Sequence, residues 1–146
     1  FKGFFNQRGY YNLSSLPPEE YRRNKLFASN RSARVWLRAG ALFQQGLRGG
    51  EELNDGGKHA IDAAVVSSGD SIFAHPIIIE GYADVEAPAD ALASSYARAR
   101  IVRSYLEARY PFAAKNVGVI PLSATPPPGV EHDRWSGVCI LVVEKK

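Results

Sequence analysis

An acidic and a basic side chain flank the junction between a short apolar run and a long helical pattern. The stretch reads IIIEGYADVEAPADALASSYARAR over residues 77–100. Asp84 directly follows the apolar run, which is typical of a buried strand, and Arg98 lies in the helical pattern that comes next. A carboxylate can hold an ammonium group, and a guanidinium presents a planar fork of donors to a carboxylate. Together they suit a zwitterionic ligand of the amino-acid type.

The position of Asp84 agrees with two different interpretations. Open α/β sheets bind ligands beyond the carboxyl ends of their strands, and the N-terminus of the following helix offers backbone N–H groups that attract carboxylates. The same residues also fit an ordinary strand-to-helix junction, in which the aspartate caps the helix and the arginines are solvated. Spacing alone favours the ordinary junction, so both interpretations remain open at this point.

Patterns that would indicate catalysis or metal binding are missing from the sequence. It contains no G-x-S-x-G turn, no phosphate-binding loop and no H-E-x-x-H motif. His59, His75 and His132 lie far apart, and none has a second ligand at metal-binding spacing. The glycine-rich residues 47–57 match no phosphate loop and are predicted to be a flexible connection. We expect a protein that is not an enzyme and needs no metal or cofactor.

The composition fits one compact domain. Of its 146 residues, 45% are hydrophobic and 23% are charged, with a net charge of +3, which is enough apolar material for a single core. The basic residues are scattered rather than clustered, which argues against nucleic acid as a partner. Cys139 lies in an apolar run and is predicted to be a small buried thiol. No apolar run is long enough to span a bilayer.

The elements that must position Asp84 and Arg98 are predicted to follow the order β-α-β-α-β-β. Residues 33–43 alternate in polarity, which indicates a half-buried strand. A helix over residues 51–69 follows, with Asn54 or Asp55 as its cap and Gly69 as its stop. Residues 75–82 are a buried strand.

The second helix is predicted to begin at Pro88 and to end before Pro111. Its predicted core stripe consists of five residues at helical spacing: Leu92, Tyr96, Ala99, Val102 and Leu106. Residues 115–122 form a third strand, which Pro121 places at a sheet edge. The apolar residues 138–146 form a last, central strand.

These elements predict an α+β fold with a mixed four-stranded sheet and two main helices on one face. Residues 32–146 are predicted to make up this domain. Residues 1–31 are aromatic, polar and broken by two prolines, and we predict a connector from a preceding region.

From about Ser32 to Lys146 the chain resembles the OmpA-like, peptidoglycan-binding domain. In that family a strand ending in G-Y/H-T-D is followed by N-x-x-L-S-x-x-R-A-x-x-V-x-x-Y-L. Here GYAD (81–84) and SYARARIVRSYL (95–106) stand in register with those motifs. The helix LNDGGKHAIDAA and the stretch KNVGVIPLSATPP resemble the family's first helix and third strand.

The resemblance implies a non-catalytic module that binds the diaminopimelate of a peptidoglycan stem peptide. Asp84 would take the ammonium group and Arg98 the carboxylate. Tyr82 and Ser95 match the same motifs and are predicted to belong to the ligand site. The implied location is the periplasm or cell envelope of a Gram-negative-type bacterium, with peptidoglycan as the partner.

The sequence also departs from the family pattern around the predicted site. Ala83 replaces the usual threonine, Ala91 the usual asparagine, and Ser136 and Gly137 the usual pair of arginines. These changes remove polar groups that would support the ligand. They leave an alternative open, in which the domain is degenerate and serves as a structural or protein-interaction module without peptidoglycan binding.

The N-terminal stretch FKGFFNQRGYYNLSSL, residues 1–16, resembles the segment that follows the coiled-coil part of MCE (mammalian cell entry) lipid-transport proteins. This implies that the chain is the C-terminal portion of an envelope lipid-transport subunit, which the OmpA-like domain would tether to the cell wall. Any attachment to a membrane would then come from the region before Phe1. The sequence leaves oligomerisation open.

Overall fold

A computed structural model of the protein describes residues 33–125 and 135–143. Its strands are β1 (Ala33–Arg38), β2 (Phe43–Gln45), β3 (Glu51–Leu53), β4 (Ile77–Tyr82), β5 (Val117–Pro121) and β6 (Gly137–Val142). Its α-helices are α1 (Ala39–Leu42), α2 (Asp55–Ser68) and α3 (Pro88–Arg109). Short 3₁₀ turns cover Asp70–Ala74 and Ala114–Asn116. The predicted connector, residues 1–31, lies outside the described residues.

The main sheet has four strands in the order β1-β6-β4-β5. β4 and β5 run parallel, and β6 is antiparallel to both β1 and β4. The predicted α+β class with a mixed four-stranded sheet is therefore confirmed. So are the central position of the last strand and the edge position of β5, where Pro121 removes one backbone donor.

One face of the sheet packs against the two main helices. Strand residues such as Ile79 and Ile140 share a buried cluster with Ile61 of α2 and Leu106 of α3. Burying each of these aliphatic side chains stabilises the fold by roughly 1.5–3 kcal/mol. The helices therefore lie on one face, as predicted, and α3 is fixed against the strand that leads to Asp84.

The opposite face of the sheet holds a second buried cluster. It comprises Ile78, Tyr82, Ile120, Leu122, Trp135, Cys139, Leu141 and Val143. None of the described helix residues belongs to this cluster. It also contains an ion pair between Arg34 of β1 and the fully buried Glu80 of β4, at 3.4 Å. Cys139 is a buried free thiol, as predicted.

The structure corrects the predicted first strand and the predicted loop after it. β1 ends at Arg38, because residues 39–42 turn into α1 rather than continue the alternation. The glycine-rich stretch is not merely a connection, because β2 and β3 pair as an antiparallel hairpin closed by residues 46–50. The hairpin forms a separate two-stranded sheet.

The helix boundaries follow the predicted caps. The Asn54 side chain accepts a hydrogen bond from the Gly57 backbone N–H at 2.6 Å, and Gly69 ends α2 with a positive φ of 79°. Pro88 stands at the start of α3 and Tyr110 caps its end, just before Pro111.

The predicted core stripe of α3 is partly wrong. The residues that face the sheet are Ala91, Ser95, Ala99, Val102 and Leu106. Leu92 and Tyr96 are exposed instead. The close approach of α3 to β4 is at Gly81, which faces Ser95 and Ala99 of the helix.

Candidate functional site

Asp84 stands on the turn that leaves the end of β4. Its residue is exposed, and its backbone N–H donates to the Ser136 hydroxyl at 2.6 Å. The preceding residue, Ala83, is buried, and its N–H donates to the Ser123 carbonyl at 2.8 Å. Two long-range hydrogen bonds thus fix the backbone that presents the carboxylate.

The Arg98 side chain reaches from α3 to the same end of β4. Its Nη1 donates to the Tyr82 carbonyl oxygen at 3.0 Å. Tyr82 is the last residue of β4 and precedes Asp84 by two positions. The guanidinium therefore lies at the end of β4, two residues before Asp84 along the chain.

The guanidinium is also bound by Glu51, the first residue of β3. Nε lies 2.7 Å from Glu51 Oε1, and Nη2 lies 3.1 Å from Oε2. The two side chains are only 14% and 29% exposed, and the guanidinium lies 5.8 Å from the ring centroid of Phe43 on β2. This two-pronged, charge-assisted contact holds the plane of the guanidinium and belongs to the stronger kind of ion pair.

Sequence reasoning missed Glu51, because the glycine-rich stretch was interpreted as a connection. One local signal could have identified the hairpin. The short polar segments 43–45 and 51–53 flank a loop that contains Gly46, Gly49 and Gly50, and the last two adopt positive φ. Two extended segments around such a loop are typical of a hairpin. Nothing local, however, indicates that Glu51 meets Arg98.

The Tyr82 side chain lies away from the predicted ligand. It is fully buried on the face of the sheet opposite α3, and its hydroxyl donates to Glu80 Oε1 at 3.2 Å. Its ring packs edge-on against Trp135 at 5.3 Å. Burial, together with the charge of Glu80, raises the pKa of Tyr82 far above its ordinary value. Only its backbone carbonyl takes part in the site.

Ser95 is also buried and works within the fold. Its hydroxyl donates to the Leu92 carbonyl at 3.0 Å and accepts from the Ser123 N–H at 3.1 Å. The Ser95 backbone lies so close to Gly81 that a Cβ at Gly81 would sit 1.9 Å from the Ser95 carbonyl oxygen. Gly81 therefore allows α3 to approach β4, and this approach brings Arg98 to the strand end.

The residues that depart from the family pattern have structural partners here. Ser136 holds the Asp84 backbone, as described above. Gly137 has a φ of 155°, and a Cβ there would lie 2.2 Å from the Leu37 carbonyl oxygen. Ala91 is buried against the sheet. The residues at these positions pack around the site. None of them has a long polar side chain that could bind a ligand.

A second polar cluster joins α2 to the end of α3. Asp62 accepts hydrogen bonds from the hydroxyls of Tyr105 at 2.9 Å and Tyr110 at 2.5 Å, and Arg109 Nε lies 3.1 Å from it. Burial acts to raise the pKa of the Asp62 carboxyl, but the two tyrosine hydrogen bonds and Arg109 outweigh it, so this pKa lies below its ordinary value. Both carboxylate oxygens accept hydrogen bonds within the cluster, which is the arrangement of a structural clamp.

The remaining features that could indicate a function are metal ligands, histidines and membrane-spanning helices. Within residues 33–125 and 135–143, no three His, Cys, Asp or Glu side chains gather as a possible metal site. His59 is exposed and His75 half-buried, while His132 lies outside the described residues. None of the helices in these ranges has the length and apolarity needed to cross a bilayer.

Comparisons with known proteins were made by family model and by sequence. No protein-family model matches the chain, and no curated protein matches it significantly. The resemblance to OmpA-like domains therefore stays a prediction from the sequence motifs.

Proposed function

We propose that this domain is a non-catalytic module that binds peptidoglycan through the diaminopimelate of the stem peptide. The observation that carries the proposal is the placement of Arg98 and Asp84 at one end of β4, with the guanidinium held on the Tyr82 carbonyl. In the proposal, the exposed Asp84 residue takes the ammonium group of one amino-acid head and Arg98 its acid group.

The residues of the proposed site fit recognition rather than bond cleavage. Arg98 and Glu51 are charged partners, and the described residues around them offer neither a nucleophile with an adjacent base nor a metal cluster. In the proposal the domain holds a cell-envelope protein to the wall of a Gram-negative-type bacterium. The parent protein would be a lipid-transport subunit of the MCE type, and nucleic acid would not be a partner.

Sedimentation of the 146-residue chain with purified diaminopimelate-type sacculi tests the proposal. Asp84→Asn and Arg98→Gln should each reduce binding about tenfold to a hundredfold, because a hydrogen bond to a charged group contributes about 1.5–3 kcal/mol. Asp84 is the sharper test, since its exposed side chain can change without disturbing the core.

Asp90→Asn and Arg100→Gln are matched controls, because both residues are exposed on α3 and carry the same charges. They should sediment like the unmodified chain. Equal sedimentation of all four variants and the unmodified chain would contradict the proposed site.

A second candidate function is a structural or protein-interaction module that has lost the ligand. The observation that favours it is the two-pronged contact of Glu51, which already supplies Arg98 with a carboxylate. This candidate predicts no heat of binding when free diaminopimelate or a stem peptide is titrated into the chain. Saturable binding that Asp84→Asn removes would exclude it.

A further inference from the structure

We propose that Glu51 determines which charge form of the ligand this site accepts. The site should bind a stem peptide more tightly when the diaminopimelate side chain ends in a neutral carboxamide beside its ammonium group. A free carboxylate at the same place should weaken binding. The inference rests on the proposed function and names the head group that the same site selects.

The first argument is the charge balance around Arg98. Glu51 contacts the Nε and Nη2 edge of the guanidinium at 2.7 and 3.1 Å, so the positive charge is already compensated within the chain. Asp84, a second acidic residue, follows the same strand end by two positions. A free ligand carboxylate would add another negative charge to a partly buried group. Like charges at such short range repel, most strongly where water is excluded.

The second argument is the count of donors that Arg98 retains. Arginine has five N–H donors, and the described contacts use Nε, one hydrogen of Nη1 and one of Nη2. Each terminal nitrogen therefore keeps one N–H beyond these bonds. The carbonyl oxygen of a carboxamide can accept from it without bringing a charge. In the proposed function the ammonium group is bound by Asp84, not by Arg98.

The third argument is that Glu51 is held in place by its own element. Glu51 pairs with Gln45 in the β2–β3 hairpin, and the neighbouring Glu52 accepts a hydrogen bond from the Gln44 side chain at 3.0 Å. At the base of the hairpin, Phe43 is buried and the Asn54 N–H donates to the Leu42 carbonyl at 2.9 Å. A ligand carboxylate would have to compete with a carboxylate that is already positioned, which lowers its apparent affinity.

Isothermal titration calorimetry with two tripeptides tests this inference. The probes are L-Ala-γ-D-Glu-meso-diaminopimelate with the free acid at the end of the diaminopimelate side chain, and the same peptide amidated there. We expect the unmodified 146-residue chain to bind the amidated peptide at least fivefold more tightly. Glu51→Gln keeps an acceptor but removes the charge, so it should reverse the preference toward the free acid.

Glu52→Gln is the matched control, because this exposed residue of the same hairpin does not contact Arg98; it should keep the preference of the unmodified chain. The inference would be overturned if the unmodified chain preferred the free acid, or if a folded Glu51→Gln variant kept the preference of the unmodified chain. Either result would leave the proposed peptidoglycan binding intact. If Glu51→Gln does not fold, the comparison of the two peptides on the unmodified chain decides alone. Binding of neither peptide would instead contradict the proposed function.

Discussion

Three hydrogen bonds hold Arg98, and they join three different parts of the chain. The residue lies on α3, its carboxylate partner on β3, and the carbonyl that holds Nη1 at the end of β4. Arginine suits this position because its planar fork can serve several acceptors at once, which a lysine ammonium does with less geometric control. At the scale of single residues, the site depends on close packing between α3 and β4.

Gly81→Ala tests this dependence on close packing. The added Cβ would lie 1.9 Å from the Ser95 carbonyl oxygen, so α3 must move away from β4, at a cost of about 1–3 kcal/mol in the free energy of unfolding. Ligand binding should weaken as well, because Arg98 moves with the helix. Urea unfolding and sedimentation with sacculi measure the two effects.

Gly40→Ala is the control for that substitution. No heavy atom lies within 4 Å of its added Cβ, and its φ is not positive. We expect a change in stability of less than about 1 kcal/mol, in the stabilising direction. A Gly81→Ala variant as stable as Gly40→Ala would show that the helix does not pack on the strand as described.

Among the elements, α2 and α3 are joined by the Asp62 clamp rather than by apolar contacts alone. Tyr105, Arg109 and Tyr110 converge on Asp62 across the two helices. Because the hydrogen bonds favour the charged carboxylate, the clamp is a pH-dependent part of the fold. It lies at the C-terminal end of α3, whereas Arg98 lies nearer the middle of that helix.

The pH dependence of stability tests the clamp. The pKa of Asp62 is lower in the folded chain than its ordinary value of 3.8, so its contribution is present above that ordinary value. The contribution is lost as the pH falls through the folded-state pKa. Asp62→Asn should lower the stability near neutral pH and flatten the loss of stability on acidification. Thermal unfolding followed between about pH 2 and pH 6 measures both changes.

Asp70→Asn is the control, because this exposed residue lies outside the clamp. It should leave the acid profile close to that of the unmodified chain. An Asp62→Asn profile that coincides with the Asp70→Asn profile would contradict the role of the clamp.

In the whole molecule, the sheet is buried on both faces. One face packs on α2 and α3, and the other carries the Tyr82 cluster with the Arg34–Glu80 pair. A fully buried carboxylate is costly unless it is paired. The second face is therefore a core with an ionic component, in which the Arg34–Glu80 pair joins β1 to β4 across the intervening strand β6.

Arg34→Leu tests that ionic component. The substitution removes a cation that pairs with the fully buried Glu80 carboxylate, which should destabilise the fold by about 3–5 kcal/mol. The double variant Arg34→Leu with Glu80→Leu should recover most of that loss, since apolar replacements of a buried pair are often close to neutral. Urea unfolding of the single and double variants gives the comparison. A double variant that is less stable than Arg34→Leu would contradict this account.

The sequence by itself determined the order of the four main strands and the two main helices, the central last strand, the edge strand, the caps of α2 and the position of Asp84 at the end of β4. These follow from periodicity, proline and glycine placement and capping, all of which act over a few residues. The α3 stripe was misassigned by one position in its first half, because alanine and serine face β4 there while Leu92 and Tyr96 face solvent.

Only the tertiary structure decided what surrounds Asp84 and Arg98. Glu51 and Arg98 are separated by 47 positions, and Asp84 and Ser136 by 52. The burial of the Tyr82 side chain on the opposite face depends on the register between β4 and β6. Such contacts join residues that are distant along the chain, so local sequence patterns do not predict them. They appear when α3 packs on β4 through Gly81 and the hairpin brings Glu51 to the guanidinium.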